Sequence, residues 1–211
     1  ILIQKGAIPE HLQNNYIKPI TRLEFSQLLV PILALTQRRM GLGNTAGKKE
    51  PWGTDIYNNL TPIEAFSAGS NFEKSDKFFD CEDVDVYRLA NHAIIQGTSI
   101  VDEHVVDSTV VKLRMFEPNA LISRQQASIM MVNAIDWNNQ LTSSDDQLER
   151  FKFIASYKPV SFEDKNNISN WALGFVTLAV NNELITGTEG NKFDPLGNLT
   201  REQAMVMGYR I

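Results

Sequence analysis

Three segments of the chain repeat one pattern of apolar and polar residues. Counted from an Arg, apolar residues follow at positions +3, +6, +7, +10 and +11, which is the spacing of the buried stripe on an amphipathic helix. The stripe residues are Phe25, Leu28, Leu29, Ile32 and Leu33, then Ala127, Met130, Met131, Ala134 and Ile135, then Ala204, Met207, Gly208 and Ile211. The pattern predicts three equivalent helices that each pack by one face.

Each predicted helix begins with a hydroxyl residue three positions before a Glu or Gln. The pairs are Thr21 with Glu24, Ser123 with Gln126, and Thr200 with Gln203. In such a capping box each side chain bonds the backbone N–H of the other residue, so the pairs predict where the helices start. The box does not account for an Arg at the first helical position, because a cation there faces the positive end of the helix dipole. The candidate site residues are therefore Arg22, Arg124 and Arg201, and the alternative is that these arginines form salt bridges to a neighbouring repeat.

The sequence before the second and third helix starts also repeats. The matching segments are 91–97 with 181–187, 116–119 with 193–196, and Phe79-Asp80 with Phe162-Glu163-Asp164. A helix is predicted after each of the two Asp segments, over 84–93 after Phe79-Asp80 and over 169–181 after Phe162-Glu163-Asp164. The unit is thus an Asp loop, a helix, an Ile-x-Gly turn, a Phe-x-Pro loop and a capped helix. A helix that ends at an apolar pair and a glycine predicts a left-handed turn at Gly97 and Gly187.

This order of motifs resembles the repeats of S-layer homology domains. The match is best from 162 to 211, and it divides the chain into a partial first repeat (1–36), an insertion (37–77), a second repeat (78–138), a linker helix (139–159) and a third repeat (160–211). The first repeat starts within the unit, as expected of a fragment or a processed chain. The resemblance implies an all-α fold of three helical hairpins in a pseudo-threefold arrangement around a central bundle of the three capped helices.

The resemblance also implies a function. Such repeats attach an exported protein to the cell wall without catalysis, by binding an anionic secondary wall polysaccharide, commonly a pyruvylated one, in grooves between repeats. The implied contacts are Arg22, Arg124 and Arg201 for the anion, with Asp80, Asp164, Trp171, Gly97 and Gly187 lining the grooves. A planar guanidinium pairs two-point with a carboxylate, and Trp offers an apolar face to a sugar. We therefore expect an extracellular protein of the cell surface, with self-association in a surface layer as a further option.

Several departures from the pattern favour an alternative. Glu10 stands where the first turn would have glycine, which puts a negative charge near a site for an anion, and Pro31 interrupts the first predicted helix at about 3 kcal/mol or kinks it. The second repeat lacks the Trp. Its turn-to-Arg loop is 13 residues longer, since 27 positions separate Gly97 from Arg124 and 14 separate Gly187 from Arg201. We expect one near-intact groove, and the alternative function is a structural or protein-interaction platform that uses 37–77 and has lost sugar binding.

Composition and charge remove other classes of protein. A single cysteine, Cys81, among 211 residues excludes an internal disulfide and a cysteine-rich zinc site. The net charge of −5 disfavours nucleic acid as a partner, and no apolar run of 18 residues predicts a membrane span. The sequence shows neither an acid/base pair nor a nucleophile constellation, so we expect no enzyme, cofactor or metal. Because the protein as a whole is negatively charged, binding of an acidic polymer would depend on the three arginines themselves rather than on attraction by the net charge.

Overall fold

The computed structural model describes residues 2–4, 6–39, 78–91, 94–95, 99–106, 109–139 and 157–211. These ranges are mostly helical with little strand. The elements are a 3-10 helix at Glu10–Leu12, α1 (Arg22–Arg39), α2 (Val84–Asn91), β1 (Ser99–Val106), β2 (Thr109–Met115), α3 (Arg124–Asn139), a 3-10 helix at Lys165–Asn167, α4 (Asn170–Asn181) and α5 (Arg201–Tyr209). Most of the insertion (37–77) and most of the predicted linker helix (139–159) lie outside the described residues.

The three capped helices begin where the sequence predicts. Helices α1, α3 and α5 each start at their Arg, and all three capping boxes are formed. In the first box the Thr21 N–H donates to Glu24 Oε2 at 3.1 Å, and the Glu24 N–H donates to Thr21 Oγ1 at 3.2 Å. The same two bonds join Ser123 with Gln126 at 3.0 and 3.4 Å, and Thr200 with Gln203 at 3.0 and 3.2 Å. The predicted helix starts are confirmed.

The predicted stripes form the buried faces of these helices. Every stripe residue is buried except Ile211, which is half-buried. Helix α1 also continues through Pro31 to Arg39, so the expected interruption is wrong. Val30 and Ile32, on either side of the proline, are buried. Tertiary packing of an apolar face supplies most of the stability of a protein helix, and here it outweighs the local cost of proline.

The chain divides into two compact units, which we call unit 1 (residues 1–10 and 21–120) and unit 2 (residues 11–20 and 121–211). In unit 1, helix α2 packs against α1. The Gln27 amide reinforces this contact, because its Nε2 donates to Asp83 Oδ2 at 2.9 Å. Oδ1 of Asp83 accepts the N–H groups of Asp85 and Val86, so this carboxylate caps α2.

Unit 1 also contains a β-hairpin that the all-α prediction missed. Strands β1 and β2 pair antiparallel, from Ser99 opposite Met115 to Val106 opposite Thr109. The hairpin fills the long turn-to-Arg segment of the second repeat. Its strands carry runs of β-branched residues, which favour extended backbone, so the signal was present in the sequence.

In unit 2, helix α3 packs against α4, and three backbone hydrogen bonds form a closed ring. The Ile20 N–H donates to Leu199 O at 2.8 Å, the Leu199 N–H to Ile122 O at 3.2 Å, and the Ile122 N–H to Ile20 O at 3.2 Å. All three side chains are buried. Each of these residues stands two positions before an Arg that starts a helix. Three segments that each precede a capped helix by two residues are therefore joined through their backbones.

The three turns that the sequence aligns share one backbone hydrogen bond. Two of these turns precede a Phe-x-Pro loop, and the third is the corresponding turn near the start of the chain. In each, an N–H donates to the carbonyl five residues earlier, which is the bond that closes the end of a helix. The donors are Ala7, Ile94 and Leu184, the acceptors are Leu2, Leu89 and Ala179, and the distances are 3.0, 2.9 and 2.9 Å. The alignment of the three turns that we read from the sequence is thus reproduced by the backbone.

The left-handed residue of the third turn is not the glycine that we predicted. Glu183 has a φ of 58°, and its counterpart Gly6 has a φ of 67°, whereas Gly187 has no positive φ. Gly187 is needed for another reason. A Cβ atom there would lie 2.7 Å from Cε1 of Phe162 and 3.0 Å from the Lys192 carbonyl oxygen, so only a residue without a side chain allows this close packing. Gly97, its counterpart, lies outside the described residues.

Candidate functional site

Arg124, the first residue of α3, is only 6% exposed and lies against the Phe-x-Pro loop of the third repeat. Its Nε donates to Phe193 O at 2.7 Å, its Nη2 donates to Thr186 O at 2.5 Å, and its guanidinium carbon lies 5.2 Å from the centre of the Phe193 ring. Burial lowers the pKa of Arg124, and the carboxylates of Asp194 and Asp164 act in the opposite direction. The result is a fixed guanidinium beside two acids, which we call the Arg124 site.

Asp164 holds the loop that receives Arg124. Its Oδ1 accepts the Phe193 N–H and its Oδ2 accepts the Asp194 N–H, both at 2.8 Å. Burial disfavours the charged form of Asp164, but the N–H groups of Phe193 and Asp194, its own N–H and the charge of Lys192 together hold the pKa of this carboxyl below its ordinary value. Asp164 therefore fixes the peptide whose carbonyl accepts the hydrogen bond from Arg124.

The same arrangement recurs in unit 1 around Arg22, which is 5% exposed. Its Nε donates to Phe116 O at 2.7 Å, and its guanidinium carbon lies 4.9 Å from the Phe116 ring centre. Asp80 accepts the N–H groups of Phe116 and Glu117, both at 2.7 Å. Burial lowers the pKa of Arg22, while Glu117 and then Asp80 raise it. The Arg22 site thus repeats the Nε bond, the ring contact and the aspartate bonds of the Arg124 site.

One aromatic residue of the motif was assigned to the wrong position. The ring of Phe162 packs on Phe193 with centres 5.5 Å apart, and in unit 1 it is Phe78 that packs on Phe116, at 5.3 Å. Phe79, which the sequence comparison used, is 68% exposed. Phe78 precedes Asp80 by the same two positions that separate Phe162 from Asp164, so adjacent phenylalanines made the alignment ambiguous.

Arg201, the first residue of α5, is 5% exposed and has a different partner. Its Nη1 donates to both the carbonyl and the side-chain oxygen of Asn14, each at 3.1 Å. Asn14 and Asn15 stand where the other two loops have Phe followed by an acid. The backbone geometry shows this equivalence. A left-handed backbone occurs at Asn15, Glu117 and Asp194, with φ of 47°, 57° and 55°. The carbonyl of each accepts a hydrogen bond from the N–H three residues later, at 2.8 to 3.0 Å.

The first two N–H groups of each capped helix are also bonded within the protein. In α3 the Arg124 N–H donates to Gly197 O at 2.9 Å, and the Gln125 N–H donates to Pro195 O at 3.1 Å. The corresponding pairs are Arg22 with Ala120, Leu23 with Pro118, Arg201 with Lys18, and Glu202 with Tyr16. Because the capping hydroxyl accepts the third N–H, these helix starts do not offer their backbone to an anion. A ligand here must be bound by side chains, the guanidinium first.

The structure groups the predicted residues differently from the sequence. Sequence order puts Arg201 with Asp164 and Trp171 in the third repeat, but Asp164 lies beside Arg124, the Arg of the second repeat. Asp80 likewise lies beside Arg22, the Arg of the first repeat. In the predicted division of the chain, each site combines the Arg of one repeat with the loop of the next. This pairing is tertiary, so no local motif could have revealed it.

Trp171 lies in the first turn of α4 and is 55% exposed, which leaves its ring available to a ligand. The residue that precedes α4, Ser169, is joined to α3: its N–H donates to Gln125 Oε1 at 3.1 Å, and its Oγ accepts from Gln125 Nε2 at 3.2 Å. Gln125 follows Arg124 directly in the chain. The sequence does not mark Gln125 as a site residue, since a glutamine next to a helix start carries no recognisable signal.

The comparison with known families fits this geometry. The family model of the S-layer homology domain matches residues 161–205. These residues form an S-layer homology domain. The S-layer homology domain includes Asp164, Trp171, Gly187, Phe193 and Arg201. No curated protein sequence matches the chain.

S-layer homology domains are noncatalytic modules that generally anchor proteins to the cell wall by binding secondary cell-wall polymers. They are typical of proteins at the cell surface, which supports the predicted extracellular location. Among the described helices, none combines the length and the apolar character that a membrane crossing requires. Residues 161–205 thus match a family whose members generally bind the cell wall.

Proposed function

We propose that the chain anchors the protein that carries it to the cell wall through three S-layer homology repeats, which bind an anionic secondary cell-wall polysaccharide such as a pyruvylated one. The observation that carries the proposal is the Arg124 site, in which the loop of the matched domain holds a guanidinium in a fixed position. The same set of contacts around Arg22 supports an equivalent repeat in unit 1. No step of this function requires catalysis.

We further propose that the repeats are related by pseudo-threefold symmetry. The closed ring of hydrogen bonds among Ile20, Ile122 and Leu199 supports this, because each residue holds the same position relative to a capped helix. The three capping boxes and the three left-handed loop residues support it independently. The binding sites would then lie at the junctions between repeats.

The chemistry of the Arg124 site suits a carboxylate ligand. Within the described residues, the hydrogen bonds of Arg124 come from Nε and Nη2, which leaves the N–H groups of Nη1 for a ligand. The two bonds to the protein fix the plane of the guanidinium, so little side-chain freedom is lost on binding. The exposed ring of Trp171 would pack on the apolar face of a sugar or on a ketal methyl group.

The direct test is cosedimentation with wall sacculi that retain their secondary polymer, with polymer-stripped sacculi as the control. We expect the wild-type protein to sediment with the first and not with the second. Arg→Lys changes at 22, 124 and 201 keep the charge but lose the planar fork, and we expect at least one to weaken retention about tenfold. Arg210→Lys is the matched control, because Arg210 is exposed beyond the end of α5.

Circular dichroism would establish that each variant is folded. Unchanged retention of all three folded variants would contradict the role of the arginines. Equal sedimentation with stripped sacculi would contradict polymer binding itself. Capture of a protein partner by a chain that has no wall affinity would favour the alternative, a protein-interaction platform.

A further inference from the structure

The three arginine sites share a backbone but differ at one charged position. The left-handed loop residue is an acid at two sites, Glu117 beside Arg22 and Asp194 beside Arg124, and a neutral amide, Asn15, in the loop that contacts Arg201. All three side chains are exposed. Because the backbone is the same at the three sites and only the charge of this side chain differs, this position can determine which site accepts an anion.

The acids act directly on the arginines that they flank. Among the carboxylates that influence Arg22, Glu117 has the strongest effect, and Asp194 has the strongest effect on Arg124. A carboxylate that favours the charged guanidinium equally opposes a second carboxylate arriving on a ligand, since like charges repel at short range. An amide at this position imposes no such repulsion.

The arginines also differ in how readily their partner can be displaced. Arg22 and Arg124 donate at 2.7 Å to a main-chain carbonyl that an aspartate holds in place. Arg201 donates at 3.1 Å both to the main-chain carbonyl and to the side-chain oxygen of Asn14, so one of its two acceptors is a side-chain amide, and Asn14 is exposed. A side-chain amide can rotate away and turn its NH₂ group toward an incoming carboxylate, whereas a fixed carbonyl cannot.

We propose that the residue at the left-handed loop position determines the anion preference of each site, and that Arg201 with Asn15 forms the principal anion-binding site. Glu117 and Asp194 weaken anion binding at Arg22 and Arg124, so these two sites bind the ligand less tightly than the Arg201 site does. This inference rests on the proposed function, because it assumes an acidic wall ligand.

The test exchanges the charge between two sites. Asn15→Asp gives the Arg201 site the residue of the Arg124 site, and Asp194→Asn does the reverse. The two side chains are nearly isosteric, and both residue types tolerate left-handed backbone. Asn166→Asp, at an exposed position of the 3-10 helix Lys165–Asn167, controls for net charge.

The probe is the methyl glycoside of a pyruvylated amino sugar, with the unpyruvylated glycoside as its control. Binding is followed by NMR through the Nε–H signals of the three arginines, so that each site is resolved. We expect the Arg201 signal of the wild type to respond at the lowest concentration. Asn15→Asp should weaken that response about two- to fivefold, less at high salt, and Asp194→Asn should strengthen the Arg124 response by a similar factor. Asn166→Asp should change neither.

The outcomes separate this inference from the proposed function. Wild-type binding in which Arg124 or Arg22 responds first, or in which Asn15→Asp and Asn166→Asp behave alike, overturns the inference and leaves the proposed function standing. If none of the wild-type arginine signals changes with the glycoside or with the purified wall polymer, the inference and the proposed function are both overturned. Equal response to the unpyruvylated glycoside overturns the role of charge.

Discussion

The Arg124 and Arg201 sites share a scaffold but differ in the residues that face the arginine. Both helices start with a capping box, and both donate their first two N–H groups to a loop with one left-handed residue. At the Arg124 site that loop presents a buried phenylalanine and an acid, whereas at the Arg201 site it presents two exposed asparagines. The backbone framework of the repeat is therefore separable from the side chains that determine what it binds.

The largest expected effect distinguishes the aromatic loop from the amide loop. Phe193 is fully buried under Arg124 and against Phe162, so we expect Phe193→Ala to lower the free energy of unfolding by about 3 to 5 kcal/mol. Asn14→Ala removes an exposed amide and should cost less than about 1 kcal/mol. Urea denaturation measures both. Equal losses would contradict the claim that the two loops are built differently.

A second effect tests the aspartate that holds the aromatic loop. Asp164→Asn keeps the size but removes one acceptor for a backbone N–H, and we expect a loss of about 1.5 to 3 kcal/mol at pH 7. The folded-state pKa of Asp164 lies below its ordinary value, so its stabilisation is present above the unfolded pKa of about 4 and is lost as pH falls through the folded pKa. The difference between wild type and variant should shrink with acidification, and a difference independent of pH between 7 and 3 would argue against this role.

The third effect tests the close packing at the turn. Gly187→Ala places a Cβ 2.7 Å from the Phe162 ring and 3.0 Å from a backbone oxygen, so we expect a loss of about 1 to 3 kcal/mol and a lower Tm. Gly190→Ala is a useful contrast, because a Cβ there meets nothing within 4 Å and the strain comes only from a φ of 69°. If Gly187→Ala were neutral, the ring of Phe162 would have room that the structure does not show.

The smallest effect compares the left-handed residue of two turns. Glu183 and Gly6 occupy the same position, with φ of 58° and 67°. Glycine adopts this conformation without the penalty that a side chain brings, so we expect Glu183→Gly to raise the free energy of unfolding by up to about 1 kcal/mol. Thermal unfolding should show a small increase in Tm. A decrease would indicate that contacts of the Glu183 side chain outweigh its backbone strain.

The sequence predicted the features that depend on neighbours along the chain. The capping boxes, the helix starts and the buried stripes follow from spacing alone, because residues three or four apart meet on one helix face. The alignment that puts Glu10 in the place of Gly187 also pairs Gly6 with Glu183, and both of these residues have a left-handed backbone. The stripe also predicted a helix through Pro31 better than propensity did, since packing outweighs the local cost of proline.

Features that depend on tertiary contacts could not be read in this way. Which Arg meets which Asp is decided by tertiary packing, and the sequence did not indicate that Asp164 lies beside Arg124. The need for glycine at 187 comes from the Phe162 ring, which is 25 positions away in sequence (187 − 162). The hairpin was not predicted because the repeat pattern indicates helices, although the β-branched residues of this segment favour extended backbone.

The central claim, recognition of an acidic wall polymer through arginine side chains, is tested most directly by removing the acid from the ligand. Calorimetric titration of the whole chain with purified secondary wall polymer, before and after hydrolysis of its pyruvyl ketals, compares the same sugars with and without their carboxylates. We predict saturable binding to the intact polymer and an affinity at least about tenfold lower after hydrolysis, as expected for loss of a charged hydrogen-bonded pair. Equal affinity for the two polymers would contradict the account.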